Sequence, residues 1–119
     1  MVGDSVNLYG LKNCDTCRKA RKALDAAGIE HAFKDVREDG VSKTQITRWA
    51  QQVSWEKLLN KSSTTWRGLD DAEKNGVTEK KAIALMAEHP TLIKRPVIEN
   101  GPTQVFAGWS KDVQAAVLG

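Results

Sequence analysis

The chain lacks most of what specialised protein classes require. None of its apolar runs approaches the roughly 18 residues that a membrane-spanning helix needs. Met1 to Asn7 has neither a basic start nor an apolar stretch, so no signal peptide is read there. Its two histidines, His31 and His89, have no ligand-like spacing, and there is no second cysteine pair, so no metal is expected. Repeats, linkers and low-complexity tracts are missing, and a single domain over residues 1–119 is expected. Lys plus Arg is 18 and Asp plus Glu is 15, giving +3, too small an excess to imply nucleic acid. A cytoplasmic monomer is expected, with neither membrane nor nucleic acid as a partner.

What is present fits a globular domain. Hydrophobic residues are 40% and charged residues 28% of 119, enough to form a core without staples. Most of the information lies in two cysteines, Cys14 and Cys17, in Cys14-Asp15-Thr16-Cys17. Two cysteines placed at random rarely fall three apart. Without a secretion signal a structural disulfide is disfavoured, and zinc would need further ligands. A thiol redox pair remains.

Hydrophobic periodicity places that pair. Val6 and Leu8 alternate with polar neighbours before Tyr9-Gly10, which predicts a strand. Cys17, Ala20, Leu24 and Ala27 draw one apolar stripe on a helix from Asp15, and Gly28 suits the position just past its end. A second strand is expected around Glu30 to Asp35, completing a strand–helix–strand unit with parallel pairing. A helical stretch follows over about 41–90. Ser42 and Gln45 read as a capping box, and Ile46, Trp49, Ala50 and Val53 as the inward face. Trp55 to Leu59 suggests a short helix, Lys61 to Gly68 a polar loop, and Leu69 to Asn75 another short helix. A last helix of the stretch starts at Thr78, turns Ala82, Ile83 and Met86 inward, and stops at His89-Pro90. Pro96 to Glu99 and Gln104 to Ala107 read as a hairpin turned at Asn100-Gly101-Pro102. Ser110 caps a final helix that buries Val113, Ala116 and Val117. The expected class is α/β: a thioredoxin-like, four-stranded mixed sheet from about 5–36 and 91–119, with an all-helical insertion between its two halves.

At the mouth of a helix Cys14 meets unpaired N–H groups and a partial positive charge, both of which favour a thiolate. Comparable sites fall from about 8.5 to about 7 or lower. Lys12, Arg18 and Lys19 add positive charge, and Asp15 opposes them. Cys14 is therefore expected as the partly exposed nucleophile. Cys17, on the apolar stripe, is expected as the buried resolving thiol. In the thioredoxin arrangement the proline at Arg95-Pro96 is cis and faces the cysteine loop, and Arg95 would hold a carboxylate or oxyanion beside the sulfur. Trp66 and Arg67 suggest a lid or a substrate contact, and Trp109 a packing residue.

The chain resembles the arsenate-reductase-related (ArsC) family over nearly its whole length. The resemblance rests on Leu8-Tyr9-Gly10 running into Cys14-Asp15-Thr16-Cys17-Arg18-Lys19-Ala20, on Leu58-Leu59-Asn60-Lys61, and on Glu88-His89-Pro90-Thr91-Leu92-Ile93-Lys94-Arg95-Pro96-Val97-Ile98. Thr64-Thr65-Trp66-Arg67 is most similar to the YffB-like branch, described as glutathione-dependent thiol reductases. The resemblance implies an oxidoreductase with Cys14, Cys17 and Arg95 catalytic. Lys12, Arg67, Arg95 and Pro96 would bind glutathione or another small thiol or disulfide. Glutathione is then a co-substrate, no cofactor is tightly bound, and glutaredoxin is a candidate partner. Two alternatives come with the family: an Spx-like redox regulator contacting the RNA polymerase alpha subunit, and a glutathione-coupled arsenate reductase. The latter's additional arginine positions fall here on Asn60 and near Gly108-Trp109, which weakens an oxyanion site.

Overall fold

The computed structural model describes residues 6–101 and 104–118, which places Pro102 of the expected turn outside the described residues. The chain forms two compact units, one from Met1–Asp39 with Arg95–Gly119 and one from Gly40–Lys94.

The first unit is a mixed sheet with helices. Strand β1 (Val6–Gly10), helix α1 (Asp15–Ala26) and strand β2 (His31–Asp35) are followed by a single helical turn, α2 (Val36–Asp39). Strands β3 (Val97–Asn100) and β4 (Gln104–Ala107) then lead into a C-terminal helix (Lys111–Leu118). The sheet order is β2-β1-β3-β4. β1 runs parallel to β2, with Val6 opposite His31 and Gly10 opposite Asp35. β3 lies antiparallel to both β1 and β4. This is the thioredoxin-like fold that the order of elements predicts.

Alternation along the strands sorts the two faces of the sheet. Val6, Leu8 and Ile98 pack with Ala20, Leu24 and Val117 into one buried cluster. Phe33, Phe106 and Trp109 lie half-buried against it. The opposite face carries Asn7, Tyr9, Val97 and Glu99. There the Tyr9 hydroxyl (3.2 Å) and the Asn7 amide (3.3 Å) both donate to the buried Glu99 carboxylate.

The second unit is helical: α3 (Lys43–Val53), α4 (Trp55–Leu58), α5 (Thr64–Arg67), α6 (Asp71–Lys74), α7 (Glu79–Glu88) and a 3-10 turn at Pro90–Leu92. Ile46, Trp49, Leu58, Ala82, Leu85 and Met86 are buried within it. Ser42 accepts the Gln45 N–H at 3.1 Å, and Thr78 the Lys81 N–H at 3.3 Å, which starts α3 and α7 where their caps predict.

Four expectations need correction. The stretch from Lys61 to Gly68 is not all loop. Ser63 accepts the Trp66 N–H at 3.1 Å and opens a helical turn, α5, that holds Trp66 and Arg67. Residues 91–94 belong to the helical unit rather than to the sheet. Asn60 N–H donates to the Leu92 carbonyl and Lys94 N–H to the Leu58 carbonyl, both at 2.8 Å, and Leu59 bridges Ile93. Ala116 is exposed, because the C-terminal helix buries Val117 and half-buries Val113 on one narrow stripe. Ala27 is likewise exposed, since α1 ends at Ala26 and turns away at Gly28, whose φ is +72°.

Among the described residues no helix is long and apolar enough to cross a membrane. Leu24 has no exposed surface and sits at the centre of the sheet-side cluster. Leu24→Ala is expected to cost about 2–5 kcal/mol in urea unfolding. A loss below about 1 kcal/mol would show that the cluster does not hold the unit together.

Candidate active site

The chemistry-bearing residues of the first unit gather where β1 gives way to α1. Cys14 is the N-cap of α1, with extended backbone (φ −101°, ψ 120°), and its carbonyl accepts the Arg18 N–H at 3.0 Å. Its own N–H donates to the Leu11 carbonyl at 3.2 Å. A cysteine here is a weak cap, yet it puts sulfur against the free N–H groups of the first turn. Both cysteines are free thiols, Cys14 half-buried and Cys17 with no exposed surface.

Cys17 points back under the loop. A Cβ added at Gly10 would fall on the Cys17 sulfur and lie 3.4 Å from its Cβ and 3.7 Å from Phe33 Cε1. Glycine at the end of β1 is thus required by close approach. Nothing in the periodicity of the sequence identifies Gly10. The one available signal is a glycine closing a strand immediately before the cysteine loop.

The two thiols differ in ionisation. Burial acts to raise Cys14, but the Cys17 N–H, the Cys17 thiol, Arg95 and the Thr16 N–H together outweigh it, and the thiol is held below its ordinary value. Cys17 is pushed up to about 12, first by burial and then by the Cys14 sulfur beside it; the Leu11 N–H and Arg95 act in the other direction. Arg95 is half-buried, favours the ionised form of both sulfurs, and is joined to the buried Pro96 by a cis peptide bond. The Pro96 carbonyl accepts the Gly108 N–H at 2.8 Å.

Two of the expected supporting cations are already engaged. Lys12 Nζ contacts Glu38 at 2.9 Å, which raises its pKa. Arg18 pairs with Asp15. Both pairs are solvent-exposed and weak. Arg67 belongs to the helical unit, where its guanidinium donates to the Ser62 carbonyl at 3.3 Å.

Sequence reasoning missed Asp35. This buried carboxylate at the end of β2 accepts the N–H groups of Arg37 (2.8 Å), Glu38 (3.0 Å) and, across the loop, Lys12 (3.1 Å). Burial works against its charge, but those three donors and Lys12 outweigh burial and keep its pKa below the ordinary value. A carboxylate closing a strand carries no sequence signal distinguishing it from a solvated one. Among the described residues no group of three or more His, Cys, Asp or Glu is placed to hold a metal.

The four-stranded mixed sheet and a cysteine at the N-cap of the first helix define a protein of thioredoxin-like fold. The chain belongs to the ArsC family, whose family model matches residues 9–116. It is 43% identical over 111 residues to an uncharacterised protein of Haemophilus influenzae, covering 93% of this chain and 97% of that one. Among solved structures it is similar to the protein YffB (PA3664), with a TM-score of 0.90 and 40% identity over 96% of this chain and 99% of that one. An arsenate reductase (ArsC) related protein from Brucella melitensis matches with a TM-score of 0.74 and 36% identity, covering 95% and 92% of the two chains. Membership of the family supports a thiol-based redox function.

Two outcomes are expected. Gly10→Ala should lower stability by about 1–3 kcal/mol, since the new methyl must displace the Cys17 sulfur; an unchanged urea midpoint would contradict the close approach. The folded-state pKa of Cys14 lies below its unfolded one, so its contribution is in place above the unfolded value and lost as pH falls through the folded value. Relative to Cys14→Ser, the native chain should therefore gain stability as pH rises toward about 8.5. Cys17, displaced upward, contributes below its unfolded value and loses that contribution at higher pH. A flat or falling difference below about 8.5 would contradict a depressed Cys14.

Proposed function

We propose that this chain is a glutathione-dependent thiol–disulfide oxidoreductase acting through Cys14 and Cys17. One observation carries the reading: a half-exposed N-cap thiol disposed to ionise, with a second thiol buried beside it that is not.

The Cys14 thiolate attacks the glutathionyl sulfur of a mixed disulfide. A Cys14–glutathione bond forms, the substrate's sulfur–sulfur bond breaks, and the substrate leaves as a thiolate that takes a proton from water. Cys17 then gives up its proton and attacks the Cys14 sulfur, closing the Cys14–Cys17 disulfide and releasing glutathione. Two further glutathione molecules, or a glutaredoxin dithiol, return the pair to thiols and are themselves oxidised to a disulfide.

Arg95 supplies the charge for a glutathione carboxylate, and the Pro96 backbone lies alongside. Lys12 would exchange its exposed Glu38 partner for a ligand carboxylate. Arsenate reduction is the second reading, favoured by the name of the Brucella melitensis relative. Against it, the Asn60 side chain is neutral and its oxygen accepts the Ser62 N–H at 3.1 Å. Arsenate turnover with glutathione and glutaredoxin would establish that reading.

Mass spectrometry after exposure to oxidised glutathione tests the proposal. Cys17→Ser should accumulate a glutathione adduct on Cys14, and Cys14→Ser should form none. The reverse pattern, or equal labelling, would overturn the assigned roles.

A further inference from the structure

The loop that carries Cys14 is held from two sides. Toward the sulfurs, the Leu11 carbonyl accepts the Cys14 N–H at 3.2 Å, and the Leu11 N–H donates to the Cys17 sulfur. Away from them, the next residue, Lys12, donates its N–H to Asp35 Oδ2 at 3.1 Å. Asp35 stands opposite Gly10 in the parallel register, so this bond ties the ends of β1 and β2 together at the point where the loop leaves the sheet.

The two carboxylate oxygens divide their work. Oδ1 accepts both Arg37 and Glu38 N–H groups, which is what capping the short turn α2 requires. Oδ2 is not needed for that cap, and its partner comes from 23 residues away. A side chain that only capped α2 would need one acceptor. A buried carboxylate is costly unless each oxygen is used, so the second oxygen requires its own explanation.

We propose that Asp35 is a positioning residue for Cys14, its Oδ2 clamping the Lys12 amide so that the loop presents Cys14 to the α1 N-terminus. The inference rests on Cys14 being the nucleophile.

Charge and clamp predict opposite signs. Removing a negative charge near a thiol by itself eases ionisation. Releasing the loop hinders it, because Cys14 then leaves the N–H groups and the Cys17 thiol that favour the thiolate. In Asp35→Asn the amide oxygen can keep the α2 cap while the NH2 group faces the Lys12 N–H, donor against donor. Asp35→Ser keeps a capping hydroxyl and simply lacks the clamp.

The experiment is alkylation of Cys14 by iodoacetamide as a function of pH in the full chain. Native protein and both variants are compared, with folding checked by circular dichroism. The expected result is a Cys14 titration midpoint displaced upward in either variant, with alkylation at pH 7 slowed about threefold or more. A midpoint that stays or falls while thermal stability drops would overturn the clamp and leave Asp35 as a cap alone. Two variants that both fail to fold would also overturn it, since Asp35 would then be a determinant of the fold. A native Cys14 that titrates like free cysteine sinks the nucleophile reading itself. A depressed native Cys14 with unmoved variants sinks only the clamp.

Discussion

Helix α1 lies so close to the end of β1 that position 10 has no room for a side chain, and the site depends on that approach. It forces the first turn of the helix under the loop and places Cys17 out of water. It also brings the Leu11 N–H within reach of the Cys17 sulfur, while the Leu11 carbonyl holds the Cys14 N–H. The apolar stripe of α1 supplies the driving force. Ala20 and Leu24 are wholly buried against Val6, Leu8 and Ile98, and Cys17 continues the same stripe one turn earlier. Packing of a hydrophobic seam thus fixes where the second sulfur sits, and the N-cap geometry fixes the first.

One helix therefore gives two cysteines opposite chemistry. Cys14 gains from the ends of the backbone that α1 leaves open, and Cys17 loses by being inside. The charge that matters comes from elsewhere in the sequence. Lys12 and Arg18 are neighbours of Cys14 along the chain but are engaged by Glu38 and Asp15. Arg95, 81 positions from Cys14 along the chain (95 − 14), favours ionisation of both sulfurs. Exposed pairs are screened by salt, whereas a half-buried guanidinium beside a half-buried sulfur is screened less.

Legibility followed the range of the interactions. The strand–helix–strand start and the hairpin were readable because period and turn residues are local signals, and Ser42 and Thr78 marked their helices for the same reason. The helical turn at Thr64–Arg67 is hidden because it buries no side chain and Ser63 is followed three residues on by Trp66 rather than by Glu or Gln, so neither an apolar stripe nor a capping box announces it. Residues from about 91 onward are expected with the sheet, yet the backbone groups of Leu92, Ile93 and Lys94 pair with Asn60, Leu59 and Leu58, more than 30 positions earlier. Gly10 and Asp35 fail in the same way. Each acts through a tertiary contact that hydrophobic periodicity does not mark, with the Cys17 sulfur for one and the Lys12 amide for the other.

The asymmetry between the thiols also bears on the order of events in the proposed reaction. After burial, the causes that raise Cys17 are the hydrogen bond and the charge of Cys14. Both vanish once the Cys14 sulfur is joined to glutathione, because a disulfide sulfur is uncharged and a poor acceptor. The Leu11 N–H and Arg95, which favour the Cys17 thiolate, remain in place. Cys17 is thus a weak nucleophile while Cys14 is free and a better one when Cys14 is capped. Attack from outside and resolution from inside are ordered by the charge and the hydrogen bond of Cys14, while burial, the largest cause, goes on holding Cys17 up.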